Sequence, residues 1–146
     1  MLNHNFIRSG RKKPATDIKE RKLYVMRDID EAASQVRSKI IMPVFGQESL
    51  YVEKSEEAID YTTSGYPDDL SNYPLINAEV IATDKAAKDI VESILKKKAE
   101  WISFNAEIEK IRLRGKAEIR SEDVNSINEI DRIKNQTIKL LNNLLT

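Results

Sequence analysis

The sequence predicts an all-α fold, an antiparallel helical bundle built on one long helix over about residues 84–120, with an extended basic N-terminal arm. Three observations carry this. The stretch Asp84 to Arg120 contains no proline and only one glycine, Gly115. In it, Ala87, Ile90, Ile94, Trp101, Ile108 and Ile111 recur at steps of three, four and seven, with Val91, Leu95 and Ile102 beside them; that spacing places one apolar stripe along one side of a helix. The chain as a whole is 33% charged, with only 4 Gly and 4 Pro in 146 residues, a composition suited to helices with long solvated faces. No segment shows the apolar–polar alternation of a half-buried strand.

Residues 1–22 form the predicted arm and residues 23–146 the helical domain. Ser9-Gly10 and Pro14 interrupt any periodicity in the arm, and Pro14 biases Lys13 away from helical backbone. Residues 1–27 hold eight basic side chains against Asp17 and Glu20, a balance of +6 that leaves −6 for the rest of a formally neutral chain. Phe6 and Ile7 are an apolar anchor for such an arm, and Arg8, Arg11, Lys12 and Lys13 supply attraction to an acidic partner. A solvated tail is the plain alternative.

The first helix runs from about Leu23 to Met42, with Val25, Ile29, Ala32, Ala33, Val36, Ile40 and Ile41 on its inner side. Pro43 ends or kinks it, and Gly46 serves the short joint that follows. A second helix covers Gln47 to about Tyr61, with Leu50, Tyr51, Lys54, Ala58 and Tyr61 along one side. Ser64 to Asp69 is turn chemistry. Pro74 suits the first position of a short helix to Ala82, with Leu75, Ala78 and Val80 or Ile81 inward. Thr83 is then the N-cap of the long helix. Gly115 costs about 1 kcal/mol relative to alanine in that helix, so it marks either a close helix contact or fraying. Ser121 caps a last helix over Glu122–Leu145, whose inner face is Val124, Ile127, Ile130, Ile133, Leu140, Leu141 and Leu144. Trp101 reads as a core residue meeting Tyr51 and Tyr61, with a partner-binding hot spot as the alternative.

Little in the chain points to chemistry. His4, the only histidine, lies in the arm, and there is no cysteine. No glycine-rich phosphate loop and no zinc-protease motif occurs. Carboxylate pairs such as Glu56–Glu57 sit among lysines and arginines and read as solvated helix faces. The expectation is therefore a non-enzymatic protein with no catalytic residue, no metal site and no cofactor. The absence of a long apolar run predicts no transmembrane helix, and the absence of a leader-like segment predicts synthesis in a host cytoplasm. Lys96-Lys97-Lys98 and the arm can attract phosphates, so a small nucleic-acid-binding protein remains an alternative.

One ordered set of residues is similar to a known pattern. Gly46-Gln47, Tyr51, Lys54, Glu57-Ala58 and Tyr61 read GQxxxYxxKxxEAxxY, followed by Tyr73-Pro74, Ala78-Glu79, Trp101, Ile108-Glu109, Arg112 and Lys116. This order, over about Ile29 to Ile119, resembles a family of small helical proteins and C-terminal domains encoded among tailed-bacteriophage tail and tail-fibre genes. The arm has no counterpart in that pattern, Phe45 stands where small residues are usual, and the last helix matches weakly. The resemblance implies a bacteriophage tail-associated structural protein located in the virion, partnered by other tail or tail-fibre proteins or by copies of itself. A tail-fibre assembly chaperone that leaves the finished particle is the second function it admits. Gly46, Tyr51, Ala58 and Trp101 take structural roles in either case.

Overall fold

The computed structural model describes residues 14–45 and 48–146. Among the described residues there are five helices and no strand: α1 Pro14–Phe45, α2 Glu48–Thr63, α3 Pro74–Thr83, α4 Ala87–Arg120 and α5 Ile127–Asn143. The chain divides into two compact units. One comprises Met1–Val36 with Glu107–Thr146, and the other is Arg37–Ala106.

In the first unit, α1, α4 and α5 enclose a core of Val25, Ile29, Ile119, Val124, Ile130 and Ile133, with Ile18 and Met26 packed against it. Each fully buried isoleucine contributes about 1.5–3 kcal/mol relative to an exposed one. Lys22 Nζ donates to Ser121 O at 2.9 Å, while Asp30 meets Arg112 and Lys116. Partner numbers fall as α1 numbers rise, so α1 and α4 run antiparallel here. Gly115 is a point of close approach between α4 and α5. A Cβ built on it would lie 2.5 Å from Thr137 Oγ1 and 2.6 Å from Thr137 Cγ2. The close-contact reading of Gly115 is the one the structure adopts.

In the second unit, α2, α3 and the first half of α4 enclose Ala58, Tyr61, Tyr73, Ile76, Ile90, Val91 and Ile94. Tyr51 meets Trp101, and Tyr66, just past the end of α2, meets Lys88. That order makes α2 and α4 antiparallel within the unit.

Several boundaries differ from the sequence expectation. Residues 14–22 are helical rather than extended, because Pro14 occupies the start of α1, where its fixed φ and missing N–H cost nothing. Pro43 lies inside α1, which continues to Phe45. Thr83 closes α3 instead of capping α4: its Oγ1 donates to Glu79 O at 2.7 Å, and Asp84 turns left-handed (φ 60°) with its N–H on Val80 O. Aspartate tolerates that conformation better than most residues. The last helix begins at Ile127, not Glu122, because Ser126 takes the cap and its Oγ accepts from Glu129 N at 3.2 Å. Ser121 instead organises the preceding turn, which drives Val124 into the core.

Some inner faces also differ. Ile76 is the buried residue of α3, while Ala78 and Ile81 are exposed. Ile102 on α4 and Ile127 and Leu140 on α5 are exposed as well. On α5, Thr137 rather than Leu140 takes the inner position opposite Gly115, since only a short side chain fits there.

Candidate partner-binding surface

Several residues of the ordered pattern have packing, capping or pairing partners, and these occur in both units. On α2, Glu57 reaches the start of α3. Its Oε1 accepts from Leu75 N at 3.0 Å and Ile76 N at 3.1 Å, and its Oε2 accepts from Leu75 N at 3.0 Å. These are the unpaired amides of a helix N-terminus, and the positive end of the helix dipole favours the carboxylate. Tyr73, the residue before α3, provides no side-chain cap of its own, so a neighbouring helix supplies it. Lys54 lies 3.8 Å from Glu79, a second and looser tie between α2 and α3. Ala58 is fully buried, which lets α2 approach its neighbours closely.

Tyr61 does not meet Trp101. It stands edge-on to Tyr73 at 5.2 Å and to Tyr66 at 5.7 Å between ring centroids. Burial, then the charge of Asp68, then the neighbouring tyrosines Tyr73 and Tyr66 push the Tyr61 hydroxyl above its ordinary pKa. The same packing holds Tyr66 at φ 58°, directly after Gly65 at φ 82°. That pair of left-handed residues ends α2, with Tyr66 N donating to Tyr61 O. Tyr51 does meet Trp101, at 6.0 Å and 73°. Trp101 is half-buried, so it belongs to the edge of its unit rather than the centre.

In the first unit the later part of the pattern forms an ion network. Arg112 Nη1 donates to Asp30 Oδ1 at 2.8 Å and Arg112 Nε to Glu109 Oε1 at 3.0 Å. Lys116 Nζ donates to both oxygens of Asp30, at 2.9 and 2.8 Å. Partial burial works against the Asp30 carboxylate, but the hydrogen bond and charge of Lys116, with Arg112 beyond it, outweigh this and hold its pKa below the usual value. Ile108 beside this network is fully buried.

Phe6, Ile7, Arg8, Arg11, Lys12, Lys13 and Gly46 lie outside the described residues. Lys96 and Lys97 are exposed and Lys98 is half-buried. Among the described residues no group of histidine, cysteine, aspartate or glutamate side chains has the geometry to hold a metal ion, and no helix is long and apolar enough to cross a membrane.

The surface that sequence reasoning missed is the outer side of α2. Val52 and Ile59, one helical heptad apart, keep 45% and 43% of their surface exposed. Glu53, Glu56 and Asp60 are exposed on the same side, and no ion pair or hydrogen bond holds their carboxylates among the described residues. At about 100° per residue these five positions span an arc of about 120°. The signal was present as an acidic face of α2 lacking any lysine or arginine, but it carried no motif. Comparison with protein-family models, with curated proteins and with solved structures finds no match.

Proposed function

We propose that this chain is a non-enzymatic, tail-associated structural protein of a bacteriophage virion, which joins subunits through its helical body and its basic N-terminal segment. The observation that carries the reading is the use made of the patterned residues. Tyr51, Lys54, Glu57, Ala58, Tyr61, Arg112 and Lys116 each go into packing, helix capping or an ion pair, as expected of a pattern selected to build a rigid helical module. The resemblance to proteins encoded among tail and tail-fibre genes gives that module its setting. Its partners in this reading are other tail or tail-fibre proteins and copies of itself, since phage tails are assembled from repeated subunits and segments that order on docking join such subunits without a large preformed interface.

Mass spectrometry of purified particles tests the reading. The chain is expected in the virion at a fixed copy number, and deletion of residues 1–13 is expected to leave the helical fold intact while preventing incorporation. Presence in infected cells together with absence from particles would replace it with the assembly-chaperone function.

A further inference from the structure

The outer side of α2 lacks a partner within its own unit, and its chemistry specifies what would cover it. Val52 and Ile59 offer two apolar contacts about 10 Å apart, at about 1.5 Å per residue. Glu53, Glu56 and Asp60 surround them with three negative charges and no neutralising cation. A fitting occupant is therefore short, basic and apolar at one point. Nucleic acid is excluded by charge.

One segment of this chain has that composition. Residues 1–13 carry Arg8, Arg11, Lys12 and Lys13, no acidic residue, and the apolar pair Phe6-Ile7. In an extended chain Phe6 to Arg11 covers about 17 Å, enough to lie along the roughly 12 Å of helix from Val52 to Asp60. Successive side chains of an extended chain point to opposite sides, so one of Phe6 and Ile7 would pack on Val52 or Ile59, and the cations would face the three carboxylates. The Lys96–Lys98 run lacks this match, because the apolar pair before it, Ile94-Leu95, is taken up in the core of its own unit and Glu100 follows it.

We infer that residues 1–13 of one copy dock on the outer face of α2 of a second copy, around Val52 and Ile59. The inference rests on the subunit-joining function proposed above and assigns it a site. The contact joins two different surfaces, so it is head-to-tail and builds rings or open chains instead of a closed two-fold dimer. Because its charges are solvated, it weakens as salt rises.

The test is sedimentation velocity on the full-length chain over a concentration series in low salt. It uses an arm-reversed variant (Arg8→Glu, Arg11→Glu, Lys12→Glu, Lys13→Glu) and a face-reversed variant (Glu53→Lys, Glu56→Lys, Asp60→Lys). The wild-type chain is expected to self-associate, and each variant alone to do so at least tenfold more weakly. An equimolar mixture of the two variants restores association, since each arm then meets a face of opposite charge. Circular dichroism controls for folding, and all three α2 positions are exposed. A wild-type chain that stays monomeric, a face reversal without effect, or a mixture that fails to associate overturns the inference. If the face reversal has no effect while loss of residues 1–13 still abolishes incorporation into particles, this docking site is wrong and the structural role survives. If the chain is absent from particles, the structural role fails whatever the sedimentation result.

Discussion

The Glu57 carboxylate holds the backbone N–H of Leu75 with both of its oxygens, each at 3.0 Å. A side chain on α2 thereby completes the N-terminus of α3, whose own preceding residue, Tyr73, offers no cap. This contact joins two helices through a loop that would otherwise have to place Pro74 unaided. Loss of an N-cap side chain costs about 0.5–2 kcal/mol. Glu57→Ala should therefore destabilise the protein by about 1–2 kcal/mol in urea unfolding followed by circular dichroism. Glu56→Ala, one residue away and exposed, should change it by less than about 0.5 kcal/mol. Equal effects of the two substitutions would mean that the cap contributes little.

Trp101 stands edge-on to Tyr51 at 6.0 Å and is half-buried. Truncating a fully buried tryptophan costs about 3–5 kcal/mol. Partial exposure lowers the expectation for Trp101→Ala to about 2 kcal/mol, read as a shift of the unfolding midpoint. Unchanged stability combined with lost partner binding would make Trp101 an interface anchor instead.

What could be read from the sequence follows from the range of the interactions. The repeat Val25, Ile29, Ala33, Val36 is periodic within one helix, and all four residues are buried. Pro74 marks the start of α3 by its own backbone chemistry. Glu57 is a different case: its partners lie 18 and 19 residues away, and a glutamate on a helix looks the same whether it is solvated or capping a neighbour. Asp30 meets Arg112 and Lys116 across 82 and 86 residues, beyond any local spacing rule. Ser121 and Ser126 compete as the cap of the last helix, and Ser126 takes it. Ser121 and Ser126 both precede acidic residues, but only Ser126 has Glu three positions later, the spacing a capping box requires.

Gly115 is set against Thr137 so closely that any side chain would collide. Alanine would gain about 1 kcal/mol of helix propensity, yet its Cβ would meet both γ atoms of Thr137 at 2.5 and 2.6 Å and its Cβ at 3.1 Å. Rotating a β-branched side chain cannot clear both γ atoms, so α4 and α5 must separate. Overpacking of this kind typically costs about 1–3 kcal/mol. Gly115→Ala should be destabilising in chemical denaturation, and adding Thr137→Ala should recover part of the loss. A non-additive double-mutant cycle is the expected signature; strict additivity would place the two residues out of contact.

Asp30 makes the first unit sensitive to acid. Burial opposes its charge, but Lys116 and Arg112 hold the folded-state pKa below the ordinary value of 3.8. A group with a lowered folded pKa stabilises the protein fully above its unfolded value and loses that contribution as pH falls through the folded one. The contribution of Asp30 should thus be complete at pH 5 and above, and should disappear as pH falls below about 3.8. Its side chain remains 44% exposed, so solvent screening limits the pair to about 1 kcal/mol or less. Asp30→Asn should lower the unfolding midpoint at pH 7 and at low salt, and the difference from wild type should shrink at pH 3. It should also shrink in 1 M salt, where exposed charges are screened within about 3 Å. A difference that stays constant between pH 7 and pH 3 would mean that the Asp30 side chain contributes through packing, and that the ion network with Lys116 and Arg112 adds nothing to stability.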